Sequence, residues 1–306
     1  RYTSYPSADR FALQYTESDY AKALKARVLQ TSKQALSLYI HIPFCAQLCY
    51  YCACNKVITK DKARADKYLH YLEKEWKLVT DKLTPAGKRE QISQLHFGGG
   101  TPTFLSAEQI SQVMQMLRER VDFTQDAEVS IEIDPRTVDH ALLAQLRQLG
   151  FNRVSLGVQD FNAEVQTAIH RTQPFELVQS CVHSCRELGF ASINFDLIYG
   201  LPKQTLASFA HTLEQVIAIA PDRIALYNYA HLPSRFKPQR RILESDLPSA
   251  EQRLAIFLLS LKNLLGADYD YIGLDHFAKR HDSLAQAAQR GGLHRNFQGY
   301  TTRAEC

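Results

Sequence analysis

Cys45-Ala-Gln-Leu-Cys49-Tyr-Tyr-Cys52 places three of the chain's seven cysteines within eight residues, at spacings of four and three. Three thiolates on one short loop are enough to hold three irons of a [4Fe–4S] cube, because such clusters are bound by cysteine thiolates. The spacing forces no fourth thiolate, so one iron is left open to a ligand. A cube with an open iron can do chemistry at that iron, which points to an enzyme. Zinc asks for four ligands, often as two C-x2-C pairs. Cys54 could be the fourth, but a single residue between Cys52 and Cys54 suits a tetrahedral knuckle poorly. A disulfide framework fits no better, since Cys181, Cys185 and Cys306 are scattered along a chain with no signal-peptide pattern.

Other residues have chemistry to offer. Gly98-Gly99-Gly100-Thr101-Pro102 lets backbone approach a ligand closely, and could grip an amino-acid moiety; it lacks the GK[ST] of a phosphate loop. The bland reading is a tight turn. Glu132 and Asp196 are acids inside apolar runs. One such acid is usually a satisfied structural carboxylate. Two on a common rim favour ligand contact, since a buried acid needs a hydroxyl or ammonium partner. Gln159 follows the same logic, and Arg171 could pair a carboxylate through two hydrogen bonds. Cys54 reads either as a catalytic or redox thiol beside the cluster or as a small filler. Tyr50 and Tyr51 could shield the cube or stack on a base. His41 lies on the run leading into the cysteines, and Cys181 and Cys185, four apart, read as helix core.

These residues must be held by an α/β scaffold. Apolar strand-like runs at 36–43, 93–97, 128–133, 153–158, 192–198, 223–229 and 269–274 alternate with amphipathic stretches at 66–83, 106–120, 137–149, 174–189, 206–219 and 249–265. Ser106-Ala-Glu-Gln109 and Asp134-Pro-Arg-Thr137 are helix starts, and Gly150 and Gly189 are stops. Seven strand–helix units exceed a doubly wound half and predict a partial (β/α) barrel of parallel strands. Each predicted strand ends in something chemical: Cys45, the glycine run, Glu132 and Asp134, Gln159-Asp160, Asp196, Tyr229-Ala230-His231 and Asp275-His276. Seven ends are thus expected on one face, where barrels build their active sites.

At 306 residues the chain can bury one large core, with residues 1–35 as an N-terminal extension and 36–306 as the barrel domain. The net charge of +4 is evenly spread, which argues against nucleic acid and is compatible with a polyanionic small substrate. Leu254 to Leu259 is far too short to span a bilayer. No n-region and h-region opens the chain, so a cytoplasmic location is expected, in the reducing compartment where exposed thiolates and Fe–S clusters survive. The chain opens on Arg1 and stops at Thr302-Arg-Ala-Glu-Cys306, which reads as a piece of a longer polypeptide.

Cys45-x3-Cys49-x2-Cys52 and the glycine run resemble the radical S-adenosylmethionine (SAM) superfamily. Further motifs narrow the resemblance: Arg1-Tyr-Thr-Ser-Tyr-Pro6, Cys52-x-Cys54, His96-x-Gly-Gly-Gly-Thr-Pro102, Gly157-Val-Gln-Asp-Phe161, Asp196-Leu-Ile-Tyr-Gly-Leu-Pro202, Tyr229-Ala-His-Leu-Pro233 and His294-Arg-Asn-Phe-Gln-Gly-Tyr300. Together they look like the oxygen-independent coproporphyrinogen III oxidase family. The resemblance implies that Cys45, Cys49 and Cys52 hold one [4Fe–4S] cluster whose open iron takes SAM, and that a second SAM binds nearby. By position Tyr39, Gly99 and Glu132 match the first SAM site; Tyr51, Gly100, Thr101, Gln159, Arg171, Asp196 and Ala230 match the second. Tyr51 stands where that family often has Phe. A covering domain beyond the chain's end, an electron donor and an acceptor, and a monomeric state are implied as well. The implied reaction converts two propionates of coproporphyrinogen III to vinyl groups, through hydrogen abstraction and loss of CO2. Two rivals are a haem-trafficking protein of the same superfamily, which usually lacks Cys54 and the Arg1–Pro6 opening, and an RNA-modifying radical enzyme, which would want a basic patch.

Overall fold

A computed structural model describes residues 10, 12, 14–29, 34–84, 89–296 and 299–302. The Arg1–Pro6 motif, Phe297-Gln298 and Cys306 lie outside the described residues.

The described chain starts with α1 (Glu17–Val28), β1 (Leu36–Ile42), the two-residue strands β2 (Phe44–Cys45) and β3 (Val57–Ile58), and α2 (Ala63–Leu83). Strand–helix units follow: β4 (Glu90–Gly99) and α3 (Ala107–Arg118), β5 (Val121–Ile133) and α4 (His140–Gln148), β6 (Arg153–Gln159) with α5 (Ala163–Ala168) and α6 (Phe175–Glu187). Then come β7 (Ser192–Tyr199) and α7 (Leu206–Ile219), β8 (Arg223–Asn228) and α8 (Ala250–Gly266). The chain closes with β9 (Tyr269–Gly273), β10 (His276–Lys279), α9 (Ser283–Gln289), β11 (His294–Asn296) and β12 (Gly299–Thr301).

The main sheet runs β1-β4-β5-β6-β7-β8-β10-β9. The strands from β1 to β8 in that order pair in parallel, each joined to the next through a helix. Side chains alternate between faces with period two. One series, such as Leu95 and Phe97, Val129 and Ile131, Val154 and Leu156, Phe195 and Leu197, is buried with the helices in a single core. The other series is polar, and its members bond across strands. Ser37 Oγ donates to Gln94 Oε1 (2.9 Å), Ser155 Oγ to Asp196 Oδ2 (2.9 Å), and Asn194 Nδ2 to Ser155 Oγ (2.8 Å). A sheet apolar on one face and polar on the other is a core with a binding surface behind it. The β11–β12 hairpin sits on that polar face, with Asn296 Nδ2 donating to Gln94 Oε1 at 3.3 Å.

Local signals explain most element ends. Capping boxes start α3 (Ser106/Gln109), α7 (Thr205/Ser208) and α8 (Ser249/Gln252). Gly150 and Gly189 follow α4 and α6 at φ +99° and +74°, which a side chain would resist.

The parallel array holds six strands, not the seven expected. The run at 269–274 is β9, which turns back at Gly273 (φ +132°) and Leu274 (φ +51°) into β10. β10 inserts between β9 and β8 and is antiparallel to both. Its four residues are too short to be read as a strand by alternation. The other departures are at edges. β5 begins at Val121, seven residues before the expected start. After Asp134 the backbone makes only a short 3-10 turn before α4, which Asp139 caps. Ahead of the barrel, α1 packs on α2 and its Arg27 pairs with Glu90 at 2.7 Å.

Candidate active site

The C-terminal ends of the parallel strands open on a cavity of about 630 Å³. That falls in the range of small-molecule sites. Cys45, Cys49, Cys52 and Cys54 line it from the loop after β1. Gly99, Gly100 and Thr101 line it from the end of β4, Glu132 and Asp134 from β5, Gln159 from β6, Asp196 and Ile198 from β7 and Tyr227 from β8. Arg171 and Tyr51 complete the wall.

The cysteine loop is held from several sides. Cys52 N–H donates to Cys49 O (3.3 Å), Tyr50 N–H to Ile169 O (2.9 Å), and Thr101 N–H to Phe44 O (2.9 Å). His170 Nδ1 bonds Leu48 O at 2.8 Å. Gly100 explains the glycine run in steric terms. A Cβ there would stand 2.8 Å from Pro43 O and 2.9 Å from Cys45 Sγ, where no real Cβ fits.

The sulfurs receive donors. Thr101 Oγ1 lies 3.5 Å from Cys45 Sγ, and Arg171 Nη1 lies 3.7 Å from Cys49 Sγ. Donors and cations aimed at thiolate sulfur suit cluster ligands and tune their potential. The hydrogen bond from Cys54 holds the Cys52 thiol down to about 6, against the opposing effect of burial, with Lys56 assisting. The pairing with Cys52 and the burial of its sulfur push the Cys54 thiol up, although the residue as a whole is exposed. Among the described residues no three His, Cys, Asp or Glu side chains converge on one point where a single ion would sit. A cube spreads three thiolates over three irons, so the loop, its donors and the glycine cradle fit a [4Fe–4S] group.

Glu132 is clamped from two sides. Its Oε2 accepts from Gly99 N–H at 3.1 Å, and its Oε1 faces His96 Nε2 at 3.3 Å. His96 Nδ1 meets Ser130 Oγ at 2.6 Å, and the imidazole stacks on the Tyr39 ring. Tyr39 OH in turn bonds His41 Nδ1 at 2.9 Å. Burial and the neighbouring Glu132 both raise the Tyr39 hydroxyl, which keeps it a neutral donor.

Arg171 is buried, at 7 % exposure, and reaches Asp134 Oδ2 (3.0 Å) and Gly157 O (2.7 Å). Arg136 grips both Asp134 oxygens, at 2.9 and 2.7 Å. Burial works against the Asp134 charge, but Arg136 and Arg171 outweigh it and hold the carboxyl below its ordinary range. Next to this cluster β6 bulges between Gly157 and Gln159. Gln159 adopts φ +68°, which a non-glycine residue resists. A Cβ on Gly157 would stand 2.9 Å from Gln159 Nε2 and 3.0 Å from Arg171 Nη2, so the glycine leaves room for both.

Of the expected site residues, Cys45, Cys49, Tyr51, Cys52, Cys54, Gly99, Gly100, Thr101, Glu132, Gln159, Arg171 and Asp196 meet at this cavity. Tyr39 and Ala230 do not line it. Tyr39 stands behind Glu132, and Ala230 is exposed with its carbonyl bonded to Gln239. His231 and Asp275-His276 also stay off the wall. The sequence alone gives His96, Ser130 and Asp134 no site role; Ser130 carries a usable signal, because period two puts it on the face of Glu132 in the same strand.

Comparison with known proteins agrees with this geometry. The chain is 49 % identical over 305 residues to the oxygen-independent coproporphyrinogen III oxidase of Salmonella typhimurium, covering 100 % of this chain and 65 % of that protein. It is 52 % identical over 309 residues to the oxidase of the same name from Pseudomonas aeruginosa, covering 66 % of it. The chain thus spans about two thirds of the length of these relatives. The solved structure of coproporphyrinogen III oxidase from Escherichia coli, a radical SAM enzyme, superposes with a TM-score of 0.93 at 48 % identity, over 99 % of this chain and 68 % of that one. The model of the Radical SAM superfamily matches residues 39–216, from Tyr39 on β1 through most of α7 and so across the whole cysteine loop and both rim acids. On that match, which takes in more than half the chain, the protein is a member of the radical SAM superfamily, whose enzymes use a [4Fe–4S] cluster and SAM.

Proposed function

We propose that the full-length protein is an oxygen-independent coproporphyrinogen III oxidase, which oxidatively decarboxylates two propionates of coproporphyrinogen III to vinyl groups and yields protoporphyrinogen IX. The observation that carries the reading is the cavity itself: thiols, glycine run and rim acids gather on one rim in a chain about half identical to oxidases of that name. When bound, the cluster and SAM supply a carbon-centred radical that removes hydrogen from the substrate. The chain's own residues bind, orient and exclude water. Cys45, Cys49 and Cys52 would anchor three irons. Gly99 and Glu132, with Tyr39 behind them, would hold the first SAM. Tyr51, Gly100, Thr101, Gln159, Arg171 and Asp196 would hold a second, with Ala230 outside the cavity wall. Cys54 lines the same wall and would be a thiol beside the cluster, not a fourth ligand. The protein would act as a cytoplasmic monomer fed by an external electron donor and discharging to a separate acceptor. Among the described residues no helix is long and apolar enough to cross a membrane.

The Glu132 clamp makes a measurable difference. Glu132→Ala and Asp196→Ala should each weaken SAM binding by roughly 1–3 kcal/mol, the cost of removing one partner at a desolvated site. Isothermal titration of reconstituted protein reads this as about five- to 150-fold in Kd. Iron content should not change, because neither acid is on the cysteine loop. Unchanged affinity in both variants would make them structural carboxylates.

Anaerobic turnover tests the function. Full-length reconstituted protein with coproporphyrinogen III and a reductant should release CO2 and 5′-deoxyadenosine and form vinyl product. Tight haem binding with no CO2 would contradict the oxidase reading and favour haem trafficking.

A further inference from the structure

The charge is not evenly spread as the sequence suggested: residues 235–241 carry four exposed cations in seven positions, Arg235, Lys237, Arg240 and Arg241. None of the four lines the cavity. The polar contacts of Arg240 and Arg241 go to Pro233 O (3.0 Å) and Tyr50 OH (3.1 Å), and no carboxylate among the described residues pairs with either. The next acids along the chain, Glu244 and Asp246, stand beyond the buried Ile242, and Lys203 takes Asp246 at 2.6 Å.

This basic segment is fastened to the cysteine loop. Gln239 is 1 % exposed. Its Nε2 donates to Tyr51 O (3.0 Å) and Ala230 O (3.1 Å), and its Oε1 accepts from Leu232 N–H (2.6 Å). The Arg241 guanidinium lies 5.1 Å from the Tyr50 ring centroid, and Tyr50 stacks on His170 with centroids 4.9 Å apart. A positive surface therefore meets the loop at Tyr50 and Tyr51, the two residues between Cys49 and Cys52. The cavity side of that loop is committed to SAM and substrate, so an electron must reach the cluster from the other side.

We propose that this surface docks the acidic face of a one-electron carrier protein, which passes its electron to the cluster across the Tyr50-Tyr51 stretch. The inference rests on the reading of this loop as the cluster loop. The electron count is simple: the carrier is oxidised by one electron, the cluster is reduced by one, and no atom moves. A tetracarboxylate substrate is a poorer occupant, because its reacting carbons must lie inside a cavity that these cations do not line. Complementary charge of this kind accelerates encounter and is screened by salt.

The test uses full-length reconstituted protein, a reduced acidic flavodoxin and, separately, dithionite. In Arg235→Glu/Lys237→Glu/Arg240→Glu, cluster reduction by flavodoxin at low salt should slow by about tenfold or more. Binding of oxidised flavodoxin should weaken in parallel, and the steep salt dependence of the wild-type rate should disappear. Dithionite reduction, iron content, SAM affinity and melting temperature should stay as in wild type. The milder Arg235→Gln/Lys237→Gln should fall between, which keeps the test readable if the triple reversal folds poorly. Equal flavodoxin rates and affinities in wild type and variants would overturn the proposal. So would loss of coproporphyrinogen turnover with dithionite as the reductant, which would assign the cations to substrate. Charge-dependent flavodoxin reduction in a protein that turns over no coproporphyrinogen would support the docking surface and contradict the oxidase reading instead.

Discussion

Asp134→Ala should destabilise the protein by about 3–5 kcal/mol, the cost of leaving a buried cation without its counter-charge. Asp134 is the shared acceptor for Arg136 and Arg171, and Arg171 sits at 7 % exposure beneath the cysteine loop. Without the carboxylate, Arg171 keeps only Gly157 O and Cys49 Sγ. Its charge is then held in a site built for a pair. Cluster occupancy should fall together with stability, because Arg171 is the donor that faces Cys49. Denaturant titration of the apo-protein separates the two effects. A loss below about 1 kcal/mol would mean that the site relaxes to admit water and that the pair contributes little.

The same carboxylate sets a pH dependence. Its folded value is held below the ordinary one by the two arginines. The unfolded chain therefore takes up the proton first as the pH falls. The stabilisation is complete above about pH 4 and is lost as the pH drops through the lower folded value. In Asp134→Asn the acid limb of the stability curve should flatten below about pH 4, while the plateau near neutrality drops.

Much of the site could be read from the chain because it is local. Cys45, Cys49 and Cys52 announce themselves by spacing, and the glycine run by composition. Glu132 and Asp196 stand out as acids inside apolar runs, and period two then puts both on the polar face. The less legible parts depend on contacts distant in sequence. His96 matters because Ser130 and Glu132, on the neighbouring strand, place their side chains against its ring. Asp134 ends β5 as a helix-start signal would, yet its carboxylate is spent on Arg171, 37 positions later. Gly157 resembles an ordinary strand glycine until Gln159 and Arg171 are seen to fill the space beside it. The antiparallel β10 was missed for a related reason. Its pairing is chosen by a turn at Gly273–Leu274 and by the free edge of β8, not by its own four residues.

Iron content and the visible absorption of anaerobically reconstituted variants separate the three proposed cluster thiolates from Cys54. Cys45 and Cys49 receive Thr101 and Arg171 as donors, Cys52 completes the spacing, and three ligands are the least that anchor a cube with one open iron. Cys54 stands two positions beyond Cys52 on the same loop, outside that spacing. Cys45→Ala, Cys49→Ala and Cys52→Ala should each lose the brown chromophore and nearly all bound iron. Cys54→Ala should keep both at the wild-type level. Equal loss of iron in Cys54→Ala would show four-thiolate ligation with no iron open to SAM, and would overturn three-thiolate anchoring.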